Sequence, residues 1–109
     1  MADIQEHKAT VAKFVSKVNT AALDGMAKNY ALVLSNKDSQ YVACGDDEER
    51  ATVRTNFLKK KLGLTDSDAD LDAAINAVCA TMKDDRFKSR LAMYYMLAEK
   101  YGKLDMFIK

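Results

Sequence analysis

Residues 46–63 read DDEERATVRTNFLKKKLG and carry the marks of a helix at both ends. Asp46 followed three residues later by Glu49 has the form of a capping box, and Asp47 and Glu48 favour the positive end of the helix dipole. Lys59, Lys60 and Lys61 complement the negative end, and Gly63 stands where a helix stops. What lies between is odd. Projected at about 100° per residue, Val53 and Phe57 fall on one side of Arg54, and Ala51, Leu58 and Leu62 on the other. Arg50 and Lys61 share the line of Arg54, while Thr52, Thr55, Asn56 and Lys59 face the opposite way. Basic residues therefore run down the middle of the apolar face. A buried unpaired charge is costly, so Arg54 requires a partner. One reading pairs it with an aspartate of the acidic stretch that follows and packs its stem in the core. The other makes Arg50, Arg54 and Lys61 an anion site for a phosphate, an acidic peptide or a nucleic-acid backbone. Lys59 and Lys60 are expected to be solvated.

The rest of the chain has the same helical grain. There is no proline and only four glycines, and apolar residues recur at spacings of three and four. A first helix is expected from about Asp3 to Val18, with Ile4, Val11, Phe14, Val15 and Val18 on its stripe. A second is expected from about Thr20 to Ser35. Residues 36–45 are the least regular, with room for a short helical turn through Tyr41 and Val42. A fourth helix carries Leu71, Ile75, Val78 and Met82. A fifth, from about Asp85, carries Phe87, Leu91, Tyr94, Ala98 and Tyr101 and is capped by Gly102. No strand pattern competes. The expectation is one domain over residues 1–109, an all-α compact bundle of about five helices.

Within the fifth helix, residues 91–98 read LAMYYMLA and are apolar on every side. Such a helix must be covered all round. Either it lies at the centre of the bundle, or a surplus face through Met93, Tyr95 and Met96 contacts a partner or a second copy of the chain. The tail, LDMFIK, ends in Met106, Phe107 and Ile108 before its last lysine. It either folds back on the bundle or inserts into a partner's groove.

Residues 65–74, TDSDADLDAA, space Asp66, Asp68 and Asp70 like the first ligands of a calcium loop. Such a loop needs glycine at its sixth position and glutamate at its twelfth, where this chain has Leu71 and Ala77. The stretch reads instead as a helix start, capped by Thr65, Ser67 or Asp68, with acids in the positive first turn. Asp66-Ser67 is similar to the acyl-carrier motif whose serine receives phosphopantetheine, but that motif continues with leucine where this chain has Asp68.

Other chemistry is sparse. His7, the only histidine, falls between Ile4 and Val11 on the apolar stripe and is expected to be hydrogen-bonded to a neighbour. Cys44, Cys79 and His7 have no zinc-ligand spacing, so no metal is expected. No phosphate-loop, dinucleotide-binding, metalloprotease or serine-hydrolase motif occurs, so neither an enzyme nor a cofactor is expected. No apolar run spans a membrane and no secretory signal opens the chain, which points to a cytoplasmic protein with two reduced thiols, Cys44 exposed and Cys79 packed. A net charge of +1 argues against nucleic acid as the main partner. That charge is segregated. Residues 65–85 carry six aspartates against Lys83 alone, and residues 86–109 carry six basic side chains against Glu99 and Asp105. The two blocks are expected to attract each other, within the chain or between copies.

Two stretches, NFLKKKLGLTDSDADLDAAI (residues 56–75) and DRFKSRLAMYYMLAEKYGKL (residues 85–104), resemble a bacterial family of small helical proteins known only as a domain of unknown function. The resemblance covers most of the chain and implies a bacterial, cytosolic, helical protein. It brings no catalytic or binding residues with it. The functional expectation is a non-enzymatic protein-interaction module, monomeric or homodimeric, using Met93, Tyr95, Met96, Met106 and Phe107. The alternative is an anion or nucleic-acid binding protein using Arg50, Arg54 and Lys61.

Overall fold

The structure, a computed structural model, describes residues 4–35, 40–85 and 88–108. Asp3, residues 36–39 and Phe87, all named above, lie outside the described residues. Six α-helices appear among the described residues: α1 (Ile4–Phe14), α2 (Thr20–Asn29), α3 (Ala31–Ser35), α4 (Asp47–Thr52), α5 (Asp68–Thr81) and α6 (Arg90–Lys100). A two-stranded antiparallel ribbon, β1 (Tyr41–Val42) with β2 (Lys88–Ser89), pairs Tyr41 with Ser89 and Val42 with Lys88. The chain is mainly helical, as its periodicity implies, but Tyr41 and Val42 are extended rather than a helical turn.

The expected second helix is broken at Tyr30. That residue closes α2 with its N–H on Met26 O and sets its ring edge-on to Phe57 and Tyr94. The first helix stops at Phe14, short of Val18. The last begins at Arg90, where the Ser89 hydroxyl accepts from Ala92 N–H. At its far end Gly102 adopts φ +67°, the left-handed turn that favours glycine.

The largest departure lies in residues 46–63. After α4 the chain continues as a π-helix over Val53–Lys61. A π-helix bonds each N–H to the carbonyl five residues back and takes about 4.4 residues per turn, or near 80° per residue. Val53, Phe57, Leu58 and Leu62 are spaced 4, 1 and 4, and on that period they fall within about 80° of one another. All four are buried. An α-helix would turn Leu58 and Leu62 away from Val53 and Phe57, at about 1.5–3 kcal/mol for each side chain left in water. Apolar burial thus offsets the poorer hydrogen-bond geometry of the wider helix. Leu62 N–H reaches Phe57 O at 2.9 Å, and Gly63, at φ +70°, lets Leu64 N–H close on Leu58 O.

Residues 90–98 of α6 are buried without a break. Their neighbours include α1, α2, α5, the ribbon and the C-terminal turn. Tyr95 is enclosed, and its hydroxyl accepts from Asn19 N–H at 2.7 Å, just where α2 begins. A tyrosine can be buried here because its polar end has a backbone partner.

The tail folds back. A 3₁₀ turn over Leu104–Phe107 buries Phe107 beside Phe57 and lays its backbone on α2. A Cβ on Gly25 would stand 1.7 Å from Phe107 O, so only glycine admits this approach.

The cysteines are not free thiols. Cys44 and Cys79 form a disulfide, Cα atoms 6.1 Å apart, which corrects the expectation of two reduced thiols. The turn before α4 is brought against the C-terminal half of α5, a contact across 35 residues that no sequence spacing announces. Closing a loop of that length stabilises the chain by about 4 kcal/mol on chain-entropy grounds.

Gly25→Ala is expected to expel the C-terminal turn and cost about 3 kcal/mol, comparable to Phe107→Ala. Urea unfolding of the double variant should show little further loss beyond either single change, because both remove the same packing.

Candidate functional site

The basic row of residues 50–61 is redistributed by the π-helix. On the wider period Arg54 and Lys59, five residues apart, share one flank, and Lys61 moves to the other. Opposite the first flank, α5 is capped by Ser67, whose hydroxyl accepts from Asp70 N–H at 3.2 Å. One helical turn separates Asp68 from Asp72, so both carboxylates face the same way. Arg54 Nη1 donates to both oxygens of Asp72, at 2.8 and 3.0 Å. Its Nε is buried with no hydrogen-bond acceptor and lies 3.9 Å from Asp68 Oδ1. Lys59 pairs with Asp68 rather than pointing to solvent alone. Asp68 and Asp72 are therefore spent on cations of this chain, and Ser67 is the helix cap. Among the described residues no group of three or more histidine, cysteine, aspartate or glutamate side chains is placed to hold a metal ion.

Arg50 occupies the next turn toward the N-terminus. Its guanidinium donates to Cys44 O at 3.0 Å and to Asp47. Asp47, Arg50, Ala51, Arg54, Asp72 and Asn76 enclose a groove of about 370 Å³. Two guanidinia face two carboxylates there, so the formal charge of the lining cancels. The Asp72 hydrogen bond, helped by the charges of Asp72 and Asp68, holds the Arg54 pKa above the ordinary guanidinium value. The Lys59 hydrogen bond, with the charges of Lys59 and Arg54, holds Asp68 below the usual carboxylate range. An anion entering this groove would have to displace a carboxylate. Lys61 is elsewhere: its ammonium lies 5.5 Å from the Phe107 ring centroid. Of the three residues expected as anion contacts, Arg50 and Arg54 are brought together and Lys61 is not.

Among the described residues, the ion pairs of the acidic stretch run to Arg54, Lys59 and Lys13. Arg90, from the basic block, pairs with Glu49 instead.

The residues expected as partner contacts are also divided. Met93 and Tyr95 have no exposed surface, Met96 is buried, and Phe107 is enclosed against Phe57. The face read as surplus is covered by other elements of this chain. Met106, 41% exposed, opens to solvent, as do Ile108 and Leu32.

One cluster escaped the sequence reading, and a second was expected without its partners. Arg90, nearly enclosed, donates to the Tyr94 hydroxyl at 2.9 Å and to Glu49. Burial raises the Tyr94 pKa, and it raises that of Tyr30 well beyond the ordinary phenol value. Glu49 thereby leaves the capping box: the Asp46 carboxylate alone accepts, from Glu48 N–H at 2.9 Å. The second cluster centres on His7. Its Nδ1 lies 2.7 Å from Ser89 Oγ and its Nε2 3.1 Å from Gln40 Oε1, all three residues buried. An amide oxygen only accepts, so Nε2 donates to Gln40. This ties α1 to the ribbon and to the first turn of α6. An arginine flanking an apolar run and a histidine inside an apolar stripe were the available signals; neither names its partner.

Fold and groove together define a small helical domain with an internally neutralised charge cluster. The chain belongs to the DUF2853 family, proteins of unknown function, whose family model matches residues 5–105. No curated protein matches it. No helix among the described residues is long and apolar enough to cross a membrane.

The lowered Asp68 pKa sets a pH dependence. The unfolded carboxylate titrates near pH ~3.9, and the folded one below that. Its stabilising effect is therefore present above the unfolded value and lost as pH falls through the folded one. Denaturant unfolding should show the wild type more stable than Asp68→Asn at pH 6, with the difference closing below about pH 4.

Proposed function

We propose that this chain is a small non-enzymatic interaction module whose contact surface is its C-terminal turn, with α6 as the buried axis that supports it. The observation behind this reading is the alternation in the tail. Phe107 points inward, while Met106 and Ile108 on either side of it stay 41% and 40% exposed. Gly25 and Phe57 fix the anchor between them, so the two apolar side chains are held out on a docked turn. Paying little ordering entropy on contact is what such a presentation contributes to binding. Met93 and Tyr95 then support the surface from within and do not touch the partner. The competing reading, an anion or nucleic-acid surface on Arg50, Arg54 and Lys61, has less behind it, because Arg50 and Arg54 already hold Asp47 and Asp72.

The test compares wild type with Met106→Glu/Ile108→Glu. Both should show the same denaturant midpoint, while the variant loses either self-association in sedimentation or the protein that the wild type retains in affinity capture. Equal retention by the two forms would contradict the proposal. Binding of polyphosphate at low salt, lost in Arg50→Ala/Arg54→Ala, would favour the competing reading instead.

A further inference from the structure

Helix α4 is weakly held. None of its residues, Asp47–Thr52, is buried. Beyond its continuation into the π-helix at buried Val53, its attachment runs through the Glu49–Arg90 ion pair, the Arg50 hydrogen bond to Cys44 O, and the disulfide from Cys44 to Cys79 immediately before it. The helix on the other side of that bond is firmly seated, with Leu71, Ala74, Ile75 and Val78 all in the core. Both cysteines are only partly buried, at the edge of the core. The bond stands at one end of the groove between α4 and α5: Asn76 lines that groove one helical turn before Cys79, and Arg50, which also lines it, is hydrogen-bonded to Cys44.

We propose that the Cys44–Cys79 disulfide is a redox latch that holds α4 against α5 along the groove between them. A thiolate of a dithiol reductant attacks one sulfur, and the Cys44–Cys79 bond breaks as a mixed disulfide forms. The second thiol of the reductant then displaces the protein. Cys44 and Cys79 each end as a thiol, gaining two electrons and two protons in all, and the dithiol is oxidised to its own disulfide. With no buried side chain of its own, α4 then keeps its polar ties and its continuity with the π-helix seated by Val53, and its local opening becomes easier than that of the core. α5 and α6 keep their apolar contacts and stay closed. The latch is shut in an oxidising compartment and released in a reducing one.

Hydrogen exchange on the full chain tests this, before and after treatment with dithiothreitol. The wild type in oxidised glutathione should contain no free thiol. Reduction should speed exchange over residues 43–52 at least tenfold, and by more than over residues 71–78 and 91–98, whose amides open only with the whole fold. Oxidised glutathione should then restore slow exchange. Cys44→Ser/Cys79→Ser should exchange like the reduced wild type and ignore dithiothreitol. Two thiols that persist in oxidised glutathione would overturn the proposal, as would unchanged exchange over 43–52 on reduction. Acceleration over α5 and α6 equal to that over residues 43–52 would also overturn it, since the bond would then act on the whole fold alone.

Discussion

The alignment of Val53, Phe57, Leu58 and Leu62 on one face, which needs the π-helical period, is the constraint on which the rest of this structure leans. With that face turned inward, the Phe57 ring stacks on Tyr94 at 3.9 Å and lies beside Phe107. Tyr30 closes the same aromatic column from α2. The column connects four parts of the chain that are distant in sequence. The same period sends Arg54 and Lys59 to one flank, where α5 offers Asp68 and Asp72, and Lys61 to the other, where Phe107 lies. Packing and charge pairing are therefore consequences of one choice of helical geometry. Nine residues of it are long for a form that usually appears as a single-turn bulge.

A second requirement comes from α6. A helix enclosed from Arg90 to Ala98 has to satisfy every polar group it carries inside, and it does so with neighbours from all over the chain. Asn19 donates to Tyr95, Arg90 reaches Tyr94 and Glu49, and Ser89 holds both Ala92 N–H and His7. These contacts place the start of α2, the first turn of α4 and the middle of α1. Buried polar groups with one acceptable set of partners specify a register in a way that leucine and methionine do not.

The helical class, the helix ends at Gly63 and Gly102, the burial of residues 91–98 and the return of Arg54 to an acidic partner could all be read from periodicity, turn chemistry and the cost of a bare charge. The π-helix could not, because the projection assumed about 100° per residue. The symptom was nevertheless visible: arginine in the middle of an apolar face dissolves once Val53, Phe57, Leu58 and Leu62 are spaced on a period near 4.4. The ribbon between Tyr41–Val42 and Lys88–Ser89 is too short to carry an alternation. The disulfide and the Arg90–Glu49 pair join residues 35 and 41 apart in sequence, and their partners are chosen by tertiary packing alone. For the candidate surface, composition identified the apolar tail, but only the close approach at Gly25 decides that Phe107 turns in and Met106 turns out.

The wider helix is the claim to test first. In solution, scalar coupling through a hydrogen bond identifies the carbonyl that accepts from a given amide. In isotope-labelled protein, the Leu62 amide should couple to the carbonyl of Phe57, five residues back, where the structure places them 2.9 Å apart. Coupling from Leu62 to Leu58 would mean an ordinary α-helix through this segment. The single apolar face, and the pairing of Arg54 and Lys59 that follows from it, would then have to be abandoned.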